Sequence, residues 1–174
     1  DSVLMTHMAC ADDPDDPMNK MQINNFEKAF NLVERKTKRS ISNSACLINF
    51  PELSFDWIRS GIAAYGGKFK DLNLKTAMTF RAPIISIRNI RKGDRVGYGG
   101  RKKASKDMRI AIVYAGYADG IPQKATDGTK VLVNDRQAEI FGRVSMDLVS
   151  IDVTNLPEVS ENDLVSFWSE ELPI

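Results

Sequence analysis

The sequence predicts an α/β segment followed by a mostly antiparallel β domain. In the first part of the chain, short apolar runs that end in small polar residues alternate with helical patterns, which is typical of parallel α/β structure. After Gly67, apolar and polar residues alternate over segments separated by turn sequences, which is typical of antiparallel strands. We therefore predict an α/β domain over residues 1–67 and a β domain over residues 68–174, with the polar stretch 68–75 as a linker.

The α/β domain begins with an apolar run at residues 3–5, which we predict as a strand. An acidic loop follows, and Asp16-Pro17 supplies the N-cap and the first-turn proline of a helix. Apolar residues at helical spacing and a basic end predict that this helix continues to about Lys38. Residues 41–45 are predicted as a strand end that leads into a short helix, and residues 55–62 as a third strand.

Three parallel strands with two crossovers bury little apolar surface, and a domain of this size is marginal even when it is complete. Parallel strands also need cover on both faces and paired neighbours. We therefore expect residues 1–67 to be the C-terminal part of a larger barrel or sheet whose beginning lies outside this chain.

The β domain contains five segments in which apolar and polar residues alternate. They are residues 78–90, 109–115, 130–134, 138–152 and 164–168. Turn sequences separate them, namely Lys92-Gly93-Asp94, Asp127-Gly128, Asn134-Asp135 and Glu161-Asn162-Asp163. Within the fourth segment, the charged and polar residues 142–147 are predicted to interrupt a hairpin.

Composition argues against several classes of function and partner. The formal charge of +1 at pH 7 is unlike that of a nucleic-acid-binding protein, which normally carries a clustered basic surplus. No apolar run approaches the ~20 residues that span a bilayer, and no signal-peptide pattern opens the sequence, so we predict no membrane partner. Cys10 and Cys46 are far apart and lack metal-ligand spacing, which predicts no metal site and a reducing, cytoplasmic compartment.

Residues that can bind a ligand through a side chain or a backbone amide accompany each predicted parallel strand. They are His7 after the first strand, Asn43 and Ser44 after the second, and Arg59, Gly61 and Ile62 at the third. Parallel α/β folds bind ligands at the carboxyl ends of their strands, and in barrels the last two strands often form a phosphate site. The Ser44 hydroxyl and the amides of Gly61 and Ile62 suit a phosphate. The alternatives at this point are capping, turn formation and a structural histidine.

Tyr98 lies in the string Val96-Gly97-Tyr98-Gly99-Gly100, between glycines and not among apolar neighbours. Glycine permits sharp turns and close backbone approach, so the ring can be left unshielded. Tyr98 is therefore a candidate for chemistry, with an ordinary turn tyrosine as the alternative.

Five strings, taken in order and at their spacing, resemble the alanine racemase family. They are Asn43-Ser44-Ala45, residues 59–66, residues 96–100, Gly116-Tyr117-Ala118-Asp119-Gly120 and residues 142–147, and Thr6-His7 with the following residues 9–13 also matches. The resemblance implies the end of an eight-stranded α/β barrel, a C-terminal β domain, pyridoxal 5′-phosphate and a head-to-tail homodimer with composite active sites. It also implies a cytoplasmic bacterial isomerase that interconverts L-alanine and D-alanine, the latter a peptidoglycan precursor.

The resemblance implies a role for each candidate residue near the cofactor. Ser44, Gly61 and Ile62 match phosphate-binding residues with Asn43 beside them, Arg59 matches the arginine that faces the pyridine nitrogen, and His7 matches a histidine of the surrounding hydrogen-bond network.

Three further residues match positions that act on the substrate. Met146 matches a residue whose backbone meets the substrate carboxylate, and Tyr117 matches a tyrosine that lines the entrance from the partner subunit. Tyr98 matches the catalytic tyrosine, which acts on L-alanine in the active site of the other subunit.

The lysine that binds the cofactor in this family has no match, since no lysine here is followed by Ala-Asn-Ala-Tyr-Gly. The resemblance thus predicts that the parent protein is an alanine racemase and that this chain alone is inactive. Two alternatives stay open. One is a non-catalytic β module for dimerisation or binding, and the other is a related pyridoxal-phosphate barrel enzyme that racemises or decarboxylates other amino acids.

Overall fold

A computed structural model of the chain describes residues 2–33, 36–67, 69, 72–125 and 127–173. The chain divides into two compact units, Asp1–Ala77 and Met78–Ile174, which we call unit 1 and unit 2. The predicted linker, residues 68–75, belongs to unit 1 and lies partly outside the described residues.

Unit 1 contains a small parallel βαβ arrangement. Its elements in chain order are β1 (Val3–Met5), α1 (Pro17–Phe30), β2 (Lys38–Ser40), α2 (Ser44–Asn49) and a 3-10 turn at Pro51–Leu53. β1 and β2 pair in parallel, with Val3 opposite Lys38 and Met5 opposite Ser40. The core of the unit is formed by Met8, Ala11, Phe26, Ile41, Cys46 and Leu53.

Helix α1 ends earlier than the sequence predicts. Asp16 caps its start, as predicted, by accepting a hydrogen bond from a first-turn amide at 2.8 Å. The helix ends at Phe30 and not near Lys38; residues 34 and 35 of the predicted helix lie outside the described residues. The Lys38 amide already donates to the Ser2 carbonyl at 3.0 Å, so Lys38 is paired beside the start of β1 and does not belong to the helix. Strand pairing overrides the helical pattern here.

The prediction of a third regular strand at residues 55–62 is wrong. The segment lies beside β2, where the Trp57 amide donates to the Arg39 carbonyl at 3.1 Å. The Arg39 amide, however, donates to the carboxylate of Asp56 at 2.8 Å. A side-chain acceptor therefore stands where a regular ladder needs a backbone carbonyl, and no strand is formed.

Unit 2 is a closed antiparallel barrel with a small separate hairpin. Its strands in chain order are β3 (Phe80–Ile90), β4 (Arg95–Val96), β5 (Lys102–Lys103), β6 (Met108–Val113), β7 (Lys130–Val133), β8 (Arg136–Ile140), β9 (Val149–Asp152) and β10 (Leu164–Trp168). The barrel order is β10-β3-β6-β9-β8-β7, and its neighbouring strands are antiparallel. β4 and β5 form the hairpin. The predicted mostly antiparallel β domain is confirmed.

The inside of the barrel is filled by apolar side chains from every strand. Fully buried examples are Ile84, Val113, Val133, Ile151 and Val165. The predicted turn Asn134-Asp135 joins β7 to β8 with φ angles of 49° and 61°, as a two-residue hairpin turn requires. Residues 142–147 separate β8 from β9, which confirms the predicted interruption. Among the described residues, no helix is both long enough and apolar enough to cross a membrane.

Candidate active site

In unit 1, side-chain amides hold the segment that follows β1. The carbonyls of His7, Met8, Cys10, Ala11 and Asp13 accept hydrogen bonds of 2.6 to 3.2 Å from Gln22, Asn43, Asn19 and Asn49. These donors lie on α1, at the N-cap of α2 or within α2. Both helices therefore fix the loop that carries the exposed side chain of His7.

The guanidinium of Arg59 lies at the carboxyl ends of β1 and β2. Its Nη2 donates to the Thr6 carbonyl at 2.7 Å and lies 3.4 Å from His7 Nδ1. Its Nη1 donates to Oγ of the buried Ser40. The Arg59 backbone is fixed as well, because its amide donates to the Ser42 carbonyl at 2.9 Å. The structure thus brings Arg59 and His7 together.

Ser44 joins the start of α2 to the segment that follows Arg59. Its Oγ accepts hydrogen bonds from the amides of Gly61 at 2.9 Å and Ala63 at 3.2 Å. Within the described part of the chain, neither the Ser44 hydroxyl hydrogen nor the Ile62 amide has an acceptor. Both donors are therefore available to an anion. The sequence offered no signal for Ala63, since an alanine contributes here only through its backbone amide.

Both polar atoms of the Asn43 side chain already have hydrogen-bond partners within unit 1. Its Oδ1 accepts from the Cys46 amide at 2.9 Å, and its Nδ2 donates to the Met8 carbonyl at 2.9 Å, so it caps α2 and holds the loop after β1. Its contact with a cofactor stays a prediction.

Burial raises the pKa of the Cys46 thiol, and the hydrogen bond to Ser42 offsets only part of that effect. Cys46 is therefore a neutral core residue.

In unit 2, Tyr98 lies at the tip of the β4–β5 hairpin and is 71 % exposed. The neighbouring Gly97 and Gly99 have φ angles of 77° and 75°, which disfavour any residue with a side chain. A Cβ at Gly97 would lie 3.2 Å from the amide nitrogen of Arg143, so this glycine lets the hairpin approach the loop between β8 and β9. The ring of Tyr98 is left unshielded, as the string predicts.

The loop after β6 packs against the same β8–β9 loop. A Cβ at Gly116 would collide with the backbone of Ser145 and Met146. The Tyr117 amide donates to the Ser145 carbonyl at 3.0 Å, and the Ala118 amide donates to the Met146 carbonyl at 2.9 Å. These contacts bring Tyr117 and Met146, two of the predicted site residues, to neighbouring positions.

Residues 142–147 therefore contact both the Tyr98 hairpin and the Tyr117 loop. Tyr98, Tyr117 and Met146 are 71 %, 37 % and 53 % exposed. Large exposed apolar groups on segments that contact one another are typical of a binding site or an interface. Arg143 was missed as a structural link because it acts through its backbone. In the described ranges, no cluster of His, Cys, Asp and Glu side chains suits a metal ion.

Fold and site together define a class of protein. Unit 1 supplies the carboxyl edge of parallel α/β strands, with free donors that fit a phosphate and a fixed guanidinium. Unit 2 supplies an antiparallel barrel that presents an exposed tyrosine. This class consists of α/β-barrel proteins with a C-terminal β domain.

The chain belongs to the alanine racemase family. Residues 77–174 match the family described as "Alanine racemase, C-terminal domain", and residues 2–68 match "Alanine racemase, N-terminal domain". The resemblance found in the sequence strings is confirmed, and so is the predicted combination of a barrel end with a β domain.

Individual relatives agree with this assignment. The alanine racemase of Nitrosomonas eutropha is 38 % identical to this chain, and the biosynthetic alanine racemase of Pseudomonas aeruginosa is 39 % identical; each match covers 98 % of the chain and 49 % of the relative. The crystal structure of the Pseudomonas aeruginosa enzyme has a TM-score of 0.85 at 40 % identity, over 98 % of this chain and 49 % of that one. The Bartonella henselae alanine racemase, solved with covalently bound pyridoxal phosphate, has a TM-score of 0.83 at 27 % identity, over 99 % and 49 %. The chain thus spans about half the length of the relatives that it matches.

Proposed function

We propose that the full-length protein containing this chain interconverts L-alanine and D-alanine, with pyridoxal 5′-phosphate as its cofactor. The observation that carries the proposal is the exposed Tyr98, held on a glycine hairpin whose supporting loop also carries Met146 and contacts Tyr117. Membership of the alanine racemase family supports the reaction. The pyridoxal phosphate in the Bartonella henselae structure supports the cofactor.

The residues of unit 1 fit the phosphate and the ring nitrogen of this cofactor. The Ser44 hydroxyl and the Ile62 amide would donate to phosphate oxygens. Gly61 leaves room, because among the described residues a Cβ there would meet only Ser44 Oγ, at 3.9 Å. Arg59 would face the pyridine nitrogen, while His7 contacts Nη2 of Arg59. When bound, pyridoxal phosphate withdraws electrons from the α-carbon of the amino acid and so makes the α-proton acidic.

Arg59 favours the return of a proton to the α-carbon over side reactions. A guanidinium keeps its proton throughout the physiological pH range, so it does not pass a proton to the ring nitrogen. By leaving the ring nitrogen unprotonated, Arg59 would limit how much charge the cofactor withdraws from the α-carbon and so would favour reprotonation there. Arg59 therefore suits racemisation better than transamination.

Racemisation needs an acid–base group on each face of the α-carbon. We assign Tyr98 to the face from which L-alanine loses its proton, in the active site of the partner subunit. A ring that is 71 % exposed needs a second surface to enclose it. A phenol acts as a base only where cations or hydrogen-bond donors favour its anion, and the partner's site would supply them. Tyr117 and the Met146 backbone would meet the substrate in that site, which makes the protein a homodimer with composite active sites.

The opposite face needs a second base. The family supplies it with the lysine that binds the cofactor, and no lysine of this chain has the matching sequence context. We therefore propose that the 174-residue chain does not racemise alanine by itself.

Turnover of L-alanine tests this proposal. The full-length protein is incubated with pyridoxal phosphate and L-alanine, and chiral chromatography is expected to show D-alanine rising until the two enantiomers are equal. The 174-residue chain, assayed in parallel, is expected to match free pyridoxal phosphate. Release of CO2 from lysine, ornithine or arginine without formation of D-alanine would instead identify a related decarboxylase. No turnover of any of these amino acids would favour the non-catalytic module.

A further inference from the structure

Helix α1 presents Asn19, Gln22 and Phe26 on one face, because residues three and four apart are neighbours on a helix surface. Phe26 anchors this face in the core, where it is 5 % exposed and stacks on Phe55 with ring centroids 6.3 Å apart. Gln22 lies one turn before Phe26 and faces the segment that follows β1. The position of this side chain is therefore set by a well-packed helix.

Every polar atom of the Gln22 side chain is used on that segment. Nε2 donates to the His7 carbonyl at 2.6 Å and to Thr6 Oγ1 at 3.0 Å, and Oε1 accepts from the Ala9 amide at 3.1 Å. A glutamine amide has two hydrogens to donate, so both are engaged. Both donated hydrogens fall on Thr6 and His7.

Thr6 and His7 are also the partners of the Arg59 Nη2 group. The Thr6 carbonyl accepts from Nη2 at 2.7 Å, and His7 Nδ1 lies 3.4 Å from the same atom. If the segment moved, Nη2 would lose both partners, whereas Nη1 would keep Ser40 on β2. The guanidinium would then be held at one end only.

We propose that Gln22 is a positioning residue for Arg59. By fixing Thr6 and His7, it sets the direction in which the guanidinium faces the pyridine nitrogen of the cofactor. Gln22 acts through these two residues, and its own hydrogen bonds all go to residues 6, 7 and 9. The inference rests on the proposed function, because it requires that cofactor.

The substitution Gln22→Glu in the full-length protein tests the inference. A carboxylate keeps an acceptor for the Ala9 amide and removes both hydrogens donated to Thr6 and His7. Asn25→Asp is the matched control, since it makes the same change on an exposed position of α1. The readout is the dissociation constant of pyridoxal phosphate, measured by absorbance titration. Gln22→Glu is expected to raise it about tenfold, because Thr6 and His7 would no longer be fixed as partners of the Arg59 guanidinium. Asn25→Asp is expected to raise it by less than about twofold.

An Arg59→Lys background separates positioning from general destabilisation. Lysine keeps the charge but lacks the planar fork that Thr6 and His7 hold. Gln22→Glu is then expected to change the dissociation constant by less than about twofold, because the two substitutions act on one interaction. Gln22→Met removes the donors without adding a charge. Like Gln22→Glu, it is expected to raise the dissociation constant about tenfold by itself and by less than about twofold in the Arg59→Lys background.

Two outcomes would overturn the inference, and they differ in what else they overturn. The first is a double variant in which the separate effects of Gln22→Glu and Arg59→Lys on the dissociation constant multiply. This outcome would overturn the inference alone and leave the proposed function standing. Failure of the unsubstituted full-length protein to bind pyridoxal phosphate would overturn both.

Discussion

Arg59 carries a charge that is hydrogen-bonded but not neutralised. Its partners are a carbonyl, a hydroxyl and an imidazole nitrogen, and within the described residues no carboxylate forms an ion pair with it. A half-buried cation held in this way favours an electron-rich ligand beside it. Ser44 is suited to donate to an anion. Its oxygen already accepts hydrogen bonds from two amides, so its hydrogen remains to be donated.

Replacement of Ser44 by alanine is expected to weaken the binding of pyridoxal phosphate to the full-length protein about 10- to 100-fold, since a hydrogen bond to a charged phosphate is lost. The amides of Gly61 and Ala63 also lose their acceptor. The dissociation constant from an absorbance titration measures the effect.

Ser54→Ala is the matched control for this substitution. Its hydroxyl is buried and has no hydrogen-bond partner among the described residues, so its removal is expected to leave both cofactor binding and the melting temperature unchanged or slightly improved. Equal loss of affinity in the two variants would show that Ser44 does not contact the phosphate.

The sequence identified candidate residues at this site but not their partners. Ser44 and Arg59 lie in strings that mark a ligand site. Ser40 and Gln22 lie in no such string, because what matters is their contact with residues far along the chain, 19 positions away for Ser40 and Arg59. Contacts of this kind are fixed by strand pairing and helix docking, which a local pattern does not contain.

At the scale of elements, the strands of the barrel were predictable, whereas the β4–β5 hairpin and two features of unit 1 were not. Alternation between turn sequences locates β10 at Leu164–Trp168, as predicted, and β7 to within a residue. The end of α1 depends instead on the pairing of β2 with β1. The irregularity at residues 55–62 depends on one carboxylate, that of Asp56.

Gly116→Ala tests how the loops of unit 2 that carry Tyr117 and Met146 are held together. A Cβ would collide with the Ser145–Met146 backbone, so the hydrogen bonds from the amides of Tyr117 and Ala118 are expected to break. We expect hydrogen exchange at these two amides to speed up and unit 2 to lose about 1–3 kcal/mol of stability, as overpacking typically costs.

Gly120→Ala serves as the comparison for that loop. This glycine has a φ of 103°, but no atom of the described residues lies within 4 Å of its Cβ position, so alanine there strains the backbone without a collision. The amides of Tyr117 and Ala118 are expected to stay protected. If Gly116→Ala also left them protected, the packing of the loops would not depend on the missing side chain.

At the scale of the whole molecule, the two units differ in how much apolar surface they bury. The barrel of unit 2 closes around a continuous core. In unit 1, the strand β1 leaves Val3 47 % and Met5 59 % exposed, and α1 leaves Met21 55 % exposed. A unit with a small core and exposed apolar residues opens locally at a lower free energy than a closed barrel.

Hydrogen exchange of the 174-residue chain is therefore expected to proceed in two groups. Amides of β1 and β2 should exchange much faster than those of β3, β6 and β9, by about 100-fold or more if the free energies of opening differ by about 3 kcal/mol. Mass spectrometry of peptides from the exchanged chain measures this difference. Similar protection in the two units would contradict the assignment of unequal cores.

We propose above all that Tyr98 is the acid–base group on the L-alanine face. The most direct test is the exchange of the α-hydrogen of alanine in D2O, followed by NMR with each enantiomer supplied separately to the full-length protein. Tyr98→Phe is expected to slow the exchange of L-alanine about 10²- to 10⁴-fold, the usual contribution of a general base, while D-alanine keeps its exchange on the other face. Tyr114→Phe, which changes another exposed tyrosine of unit 2, is expected to leave both rates unchanged. Unchanged exchange of L-alanine in Tyr98→Phe, or equal losses for both enantiomers, would contradict the account.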